Sequence, residues 1–392
     1  MTHYDYLIIG GGMTGDAAAH GIREADGNAS IGVISAETHP PYNRPPLSKG
    51  LWKGDAPESI WRNTADAGEQ LQLGRQAVEI DPVRKRVTDD AGREYGFHKL
   101  LIATGGSPRR LPMESDQIIY FRTYDDYRRL RSLAGQPRRF AVLGGGFIGT
   151  EIAAALRMSG HDVTMVVPEQ GLGARVFPAE LSRFLVEYYR EKGVEIRTGD
   201  GAQSVRAQGG GVVIQTTTGA EFEVDAVIAG LGIVPNVALA ERAGLRVENG
   251  IVVDEFLRTS HADIYAAGDV ANFFNPALGS RLRVEHEDNA NTMGRIAGLN
   301  MAGRGTRYHH LPLFYSDLFE LGYEAVGDTD SRYETVADWK EPFREGVVYY
   351  LKEGRVRGVL LWNTWGQVDN ARALIAEPGP FTAKSLTGRL PA

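Results

Sequence analysis

The sequence predicts an α/β protein with two Rossmann-like dinucleotide-binding domains and an α+β domain at its C-terminal end. Two observations predict the doubled unit. The pattern Gly-x-Gly-x-x-Gly occurs at Gly10, Gly12 and Gly15, and again at Gly144, Gly146 and Gly149, 134 residues later (144 minus 10). Each copy follows an apolar run, Tyr6-Leu7-Ile8-Ile9 or Phe140-Ala141-Val142-Leu143, and precedes an alanine-rich, helix-compatible stretch. A third observation predicts the last domain: strand-like patterns over 346–351 and 356–363 flank the hairpin signal Glu353-Gly354-Arg355.

Length and composition bound the rest. A chain of 392 residues exceeds one hydrophobic core, so two or three domains are expected. The 42% hydrophobic and 24% charged residues are those of an ordinary soluble globular protein. A net charge of −7 argues against a nucleic-acid partner. No run approaches the ~18 apolar residues of a membrane span. The start, Met1-Thr2-His3-Tyr4-Asp5, has no basic or apolar leader pattern, so a cytoplasmic protein is expected. There is no cysteine, hence no disulfide, no thiolate metal site and no redox-active Cys pair.

In the first unit the glycines have separate tasks. The first permits the strand-to-helix turn, the second lets a pyrophosphate approach the backbone, and the third brings helix and strand together. The helix N-terminus then offers unpaired N–H groups to phosphate. A helix to about Glu24, a turn at Asp26-Gly27-Asn28 and a strand over 31–34 lead to Glu37, 22 residues past Gly15 (37 minus 15). An acid at that distance suits a ribose hydroxyl. Next, Pro40, Pro41, Pro45 and Pro46 make the stretch to Lys49 a rigid loop, with a short helix possible after Pro46. Composition leaves a functional loop and a plain connector both open.

In the second unit the helix runs from Gly149 to about Met158, and a strand follows over 162–167. Glu169 lies 20 residues past Gly149 (169 minus 149) and suits the ribose role. A carboxylate there repels a 2′-phosphate and favours NADH, whereas Arg175 nearby could accommodate NADPH. Phe147 and Glu151 read either as packing and a dipole-favoured first-turn acid, or as site residues. The run Glu285-His286-Glu287-Asp288 is poorly spaced for a metal, and none is assigned. Arg128, Arg129, Arg131, Arg138 and Arg139 read either as a solvated face or as a dock for an acidic carrier.

From Pro41 to Lys49 the residues resemble the flavoprotein NAD(P)H reductases that include ferredoxin, rubredoxin and putidaredoxin reductases and the apoptosis-inducing factor. Further matches are Leu101-Ile102-Ala103-Thr104-Gly105, Leu231-Gly232-Ile233-Val234-Pro235-Asn236, Gly268-Asp269 with its surroundings, and Leu313-Phe314-Tyr315-Ser316-Asp317. Together they cover essentially the whole chain, and the carboxyl-terminal third is most similar to apoptosis-inducing-factor-like oxidoreductases. The resemblance implies FAD in the first unit and NADH in the second. It places Arg44 against the adenine, Lys49 near flavin N5 and O4, and Asp269 on the ribityl chain. Val78, Ala103, Thr104, Gly105 and Gly268 are further implied FAD contacts, and Glu285 and His286 line the nicotinamide side. Phe147, Ile148, Glu151 and Gly232 are implied around the nicotinamide, with a Lys49–Glu151 pair orienting donor against acceptor. Where the family has a tryptophan over the flavin edge, this chain has Tyr315.

The expected boundaries are 1–112 and 241–313 for FAD, 113–240 for NADH and 314–392 for the α+β domain. Lys49, Glu151 and Phe147 are the candidate catalytic residues. Without cysteine, electrons must leave to an external acceptor. A ferredoxin, rubredoxin or other iron–sulfur carrier is the first expectation. The alternatives are a slow redox sensor holding a long-lived charge-transfer complex, and a quinone reductase. Monomer and homodimer both remain open.

Overall fold

The computed structural model describes residues 1–113 and 115–391. They form two compact units. The first comprises Met1–Arg44, Glu58–Ser107 and Val234–Pro312; the second comprises Pro45–Pro57, Pro108–Ile233 and residues 313–391. The loop carrying Lys49 therefore groups with the residues of the second glycine motif, whereas the sequence boundaries assign it to 1–112.

In the first unit, strand Thr2–Ile9 lies between Ile31–Ser35 and Glu94–Ile102 and runs parallel to both. Gln70–Leu73 extends the parallel sheet on one side, and Ile264–Ala266 pairs with Glu94–Ile102. The antiparallel strands Arg86–Asp89 and Ala77–Asp81 complete it. Leu7, Ile8, Leu100, Leu101 and Ile102 are all 0% exposed, as expected of parallel strands covered on both faces. Helix Met13–Ala25 starts at Gly12 without a side-chain cap, so its first N–H groups are not claimed by a capping side chain. It packs on helix Glu287–Met301 with backbones nearly touching: a Cβ at Gly298 would stand 2.1 Å from Ala18 O. Only glycine allows that approach.

In the second unit a wholly parallel sheet runs in the order Glu195–Thr198, Asp162–Val167, Arg139–Leu143, Ala226–Ala229 and Ile118–Tyr120. Helix Phe147–Met158 follows the central strand and begins at Phe147, inside the glycine motif. Helix Ala179–Glu191 buries Leu181, Leu185, Tyr188 and Tyr189, the spacing of one helical face. The short antiparallel sheet Ala202–Gln208, Gly211–Thr216 and Glu221–Val224 precedes the return strand.

The C-terminal residues form a five-stranded antiparallel sheet ordered Leu313–Leu318, Leu321–Gly327, Arg355–Trp362, Glu345–Lys352 and Glu334–Glu341. The expected hairpin is present. Glu353 and Gly354 have φ of 55° and 71°, the positive pair that a two-residue hairpin turn requires. Tyr323 and Trp362 stack 5.7 Å apart, and Phe177 meets both edge-on. Helix Val368–Ala376 packs on strands Leu321–Gly327 and Arg355–Trp362.

Candidate functional site

Both glycine turns show the same division between glycines packed on protein and a glycine facing open space. A Cβ at Gly10 would lie 2.1 Å from Ala103 O, and one at Gly15 2.0 Å from Gly10 O. A Cβ at Gly12 would meet only an Arg44 nitrogen, at 4.0 Å. In the second unit a Cβ at Gly144 would stand 2.6 Å from Gly230 O and one at Gly149 2.1 Å from Gly144 O, while at Gly146 nothing lies within 4 Å. The first and third glycines are thus demanded by the fold. The middle one is not: it keeps a surface clear beside the start of an uncapped helix. This unfilled backbone surface fits a pyrophosphate.

Around the first turn, Glu37 lies just beyond strand Ile31–Ser35 and accepts from Arg44 Nη2 and from the Tyr42 hydroxyl, both at 2.6 Å. Arg44 also sits 5.3 Å from the Tyr42 ring. The expected acid and arginine are thereby brought together, and Tyr42 is a partner that sequence reasoning missed. Ala103, Thr104 and Gly105 follow strand Glu94–Ile102. Thr104 Oγ1 donates to Asn236 O, while Asn236 Nδ2 and N donate to the carbonyls of Thr104 and Gly105, all at 2.9 Å. Gly268 has φ +77° and lies against Thr14, and Asp269 occupies the same short 3₁₀ turn. Val78 is 39% exposed on strand Ala77–Asp81, its carbonyl accepting from Arg242. Glu285 pairs with Arg283 at 2.7 Å. His286 occupies the N-cap position of helix Glu287–Met301, and desolvation pushes its imidazole down to about 4, so it is neutral near pH 7.

The second unit holds a buried polar cluster around Glu151. Glu151, on the first turns of helix Phe147–Met158, is 4% exposed. Its carboxylate accepts from Lys49 Nζ, Ser48 Oγ and Ser316 Oγ, each at 2.6 Å. Lys49 reaches it because Pro45–Ser48 and Gly50–Trp52 fold into two 3₁₀ turns, pinned by Trp52 Nε1 donating to Leu47 O. The ammonium also lies 5.3 Å from the Tyr315 ring, which is 40% exposed. Phe147 packs on Phe314 at 5.0 Å, and burial followed by the Glu151 charge drives the Tyr189 and Tyr323 hydroxyls far up. Ile148 is partly buried next to Phe147. Gly232 has φ +78° and faces open space. Glu169 pairs with Arg175 at 3.3 Å beyond the end of strand Asp162–Val167, with Arg175 86% exposed. Sequence reasoning missed Ser48 and Ser316. The signal was available: each is a hydroxyl adjoining a singled-out residue, Lys49 or Tyr315.

Among the described residues, no group of three or more His, Cys, Asp or Glu is arranged to hold a metal ion, and no helix is long and apolar enough to cross a membrane. The carboxylate-and-glycine chemistry of both turns is that of dinucleotide binding.

Comparison with known proteins agrees. The family model described as pyridine nucleotide-disulphide oxidoreductase matches residues 4–294. That of the mitochondrion-associated C-terminal part of the apoptosis-inducing factor matches 297–342 and 337–377. The chain is 34% identical to apoptosis-inducing factor 1, mitochondrial, of Dictyostelium discoideum, over 96% of this chain and 79% of that one. It is also 34% identical to the ferredoxin–NAD(+) reductase component of the anthranilate 1,2-dioxygenase system of Burkholderia cepacia, covering 96% and 95%. Its fold matches the covalent putidaredoxin reductase–putidaredoxin complex with a TM-score of 0.91 at 31% identity, covering 98% of this chain and 95% of that one. With no cysteine, it cannot use the disulphide of the family's name. The chain belongs to the pyridine nucleotide-disulphide oxidoreductase family and is an FAD-dependent oxidoreductase related to ferredoxin reductases and apoptosis-inducing-factor-like proteins.

Proposed function

We propose that the protein oxidises NADH and delivers the electrons one at a time to a small iron–sulfur protein, a ferredoxin or rubredoxin. The observation that carries this reading is the repeated division of the glycines: two turns in one chain, each with its middle glycine facing open space. Bound FAD supplies the conversion from hydride acceptance to single-electron release. The chain's residues then bind and orient. Gly12 with Glu37 and Arg44 would hold one dinucleotide, and Gly146 with Glu169 the other. Glu169 favours NADH, because a carboxylate repels the 2′-phosphate of NADPH. Lys49, held by Glu151, presents a fixed positive charge where electron density builds. Likeness to the Burkholderia reductase component supports an iron–sulfur acceptor, and the cysteine-free sequence supports an external one.

Stopped-flow mixing of the FAD-loaded protein with NADH or NADPH tests the reading, followed by ferredoxin-coupled cytochrome reduction. Fast bleaching of the flavin by NADH, at least tenfold slower bleaching by NADPH, and rapid electron delivery are expected. Equal rates with the two nucleotides would overturn the Glu169 assignment, and no delivery to any iron–sulfur carrier would overturn the acceptor. The match of the C-terminal residues to the apoptosis-inducing factor favours a second reading, a slow redox sensor. It expects an air-stable long-wavelength absorbance band in the same experiment.

A further inference from the structure

The Glu151 carboxylate is held unequally by its two serines, and the inequality assigns them different weight. Ser316 Oγ and Lys49 Nζ share one oxygen, Oε1, while Ser48 Oγ alone takes Oε2. Ser316 lies on strand Leu313–Leu318 of the C-terminal sheet and is 1% exposed; Ser48 ends the Pro45–Ser48 turn and is 5% exposed. The surroundings of the two hydroxyls differ further. A small cavity of about 10 Å³, close to the room one water needs, is lined by Ser48, Lys49, Glu151, Lys53 and Asp317 among others, but not by Ser316. Water can therefore take the place of the Ser48 hydroxyl. At Ser316 the cavity provides no such substitute.

We propose that Ser316 is the positioning residue of the Lys49–Glu151 pair, and that through it the C-terminal sheet sets where the Lys49 ammonium stands. The inference rests on the reading that this pair serves hydride transfer from NADH. A carboxylate oxygen accepting two donors is fixed in direction by both. Without the serine, Oε1 is held only by the mobile Lys49 ammonium, so the carboxylate can turn about its Ser48-bound Oε2 toward the cavity and the ammonium follows it. Tyr315, one residue before Ser316, carries the ring beside the same ammonium, so a single strand supplies both the hydroxyl and the ring.

The test compares Ser316→Ala, Ser316→Thr, Ser48→Ala and Glu151→Gln in the FAD-loaded protein. A hydrogen bond to a charged group contributes about 1.5–3 kcal/mol, and about half of that lost from the barrier to flavin reduction is about tenfold in rate. The limiting rate of flavin reduction by NADH should fall about tenfold in Ser316→Ala, with less change in the NADH concentration giving half that rate. Ser48→Ala should lose less than Ser316→Ala, and Ser316→Thr, which keeps the hydroxyl, should recover most of the loss. Independently of rate, a crystal structure of Ser316→Ala should show the Lys49–Glu151 contact, 2.6 Å here, lengthened or turned toward the cavity. Equal losses in the two alanine variants, or an undisturbed pair in that structure, would overturn the inference. If Glu151→Gln itself leaves reduction unchanged, the reading of the pair fails first; if it slows reduction while Ser316→Ala does not, only the role of Ser316 fails.

Discussion

Removing both partners of the Lys49–Glu151 pair should cost well short of the sum of removing each. The side chains are 14% and 3% exposed, so each charge depends on the other rather than on water. Breaking such a pair by truncating one member costs about 3–5 kcal/mol, because the survivor stays buried and uncompensated. In Glu151→Ala the adjoining cavity lets water reach Lys49, and alanine's better helix propensity returns about 0.5 kcal/mol, so roughly 2–3 kcal/mol is expected. In Lys49→Met the carboxylate keeps its two serine donors but loses its counter-charge, for roughly 3 kcal/mol. If the losses were independent, the double variant would lose about 5–6 kcal/mol. With neither charge present, it should lose about 3 kcal/mol or less, a coupling of roughly 2–3 kcal/mol. Urea unfolding of the four proteins at saturating FAD, followed by tryptophan fluorescence with the slopes compared, measures this cycle. A coupling below about 0.5 kcal/mol would show that the charges do not sense each other and would refute the reasoning.

Other predictions follow from single groups. Gly146→Ala should leave the melting temperature unchanged yet raise the NADH concentration needed for reduction at least tenfold. Gly10→Ala, whose Cβ would collide with Ala103 O and whose φ is +120°, should give protein purified without flavin colour. Hydrogen bonds from Lys85 and Lys99 hold the Asp263 carboxyl down at about 2, against 3.8 normally. The stability they add is present above pH 4 and lost as pH falls toward 2, so Asp263→Asn should flatten that part of an acid-unfolding curve. Desolvation, with Asp16 nearby, raises the Glu69 carboxyl to about 8. Its contribution is complete below about pH 4.5 and disappears as pH rises through 8, so Glu69→Gln should be the more stable protein at pH 9, as read by thermal unfolding.

How much of this was legible in the sequence depended on the range over which each feature acts. Strand, glycine turn and helix are local, so both units could be read from the residues at 6–19 and 140–155 alone. The hairpin was equally legible, since Glu353-Gly354-Arg355 is a short glycine-containing turn signal between two strand-like runs. Glu37 was legible from its distance to Gly15 and Arg44 from the family resemblance, but their pairing, seven residues apart across a proline-stiffened loop, was not. The serine donors to Glu151 lie 103 and 165 residues from it, and no periodicity reports contacts at that range. Pro45–Pro57 is continuous in sequence with the first unit, yet its 3₁₀ turns pack with the second, where Trp52 meets Tyr127 at 6.0 Å.

The cost of the buried pair bears on why the charges are there. A buried ion pair is weak evidence for stability, since apolar side chains of similar volume commonly replace one with no loss. Stability alone therefore gives Lys49 and Glu151 no reason to be charged. A function does, because an ammonium held at one point in a dry setting stabilises developing negative charge far better than a mobile one in water. The same cycle separates the two causes. Lys49→Met/Glu151→Ala should unfold at higher urea than a sum of its single variants allows, yet reduce its flavin with NADH no faster than the slower of them. If reduction recovered along with stability, the pair would be a structural device, and the hydride-transfer role proposed for it would fall.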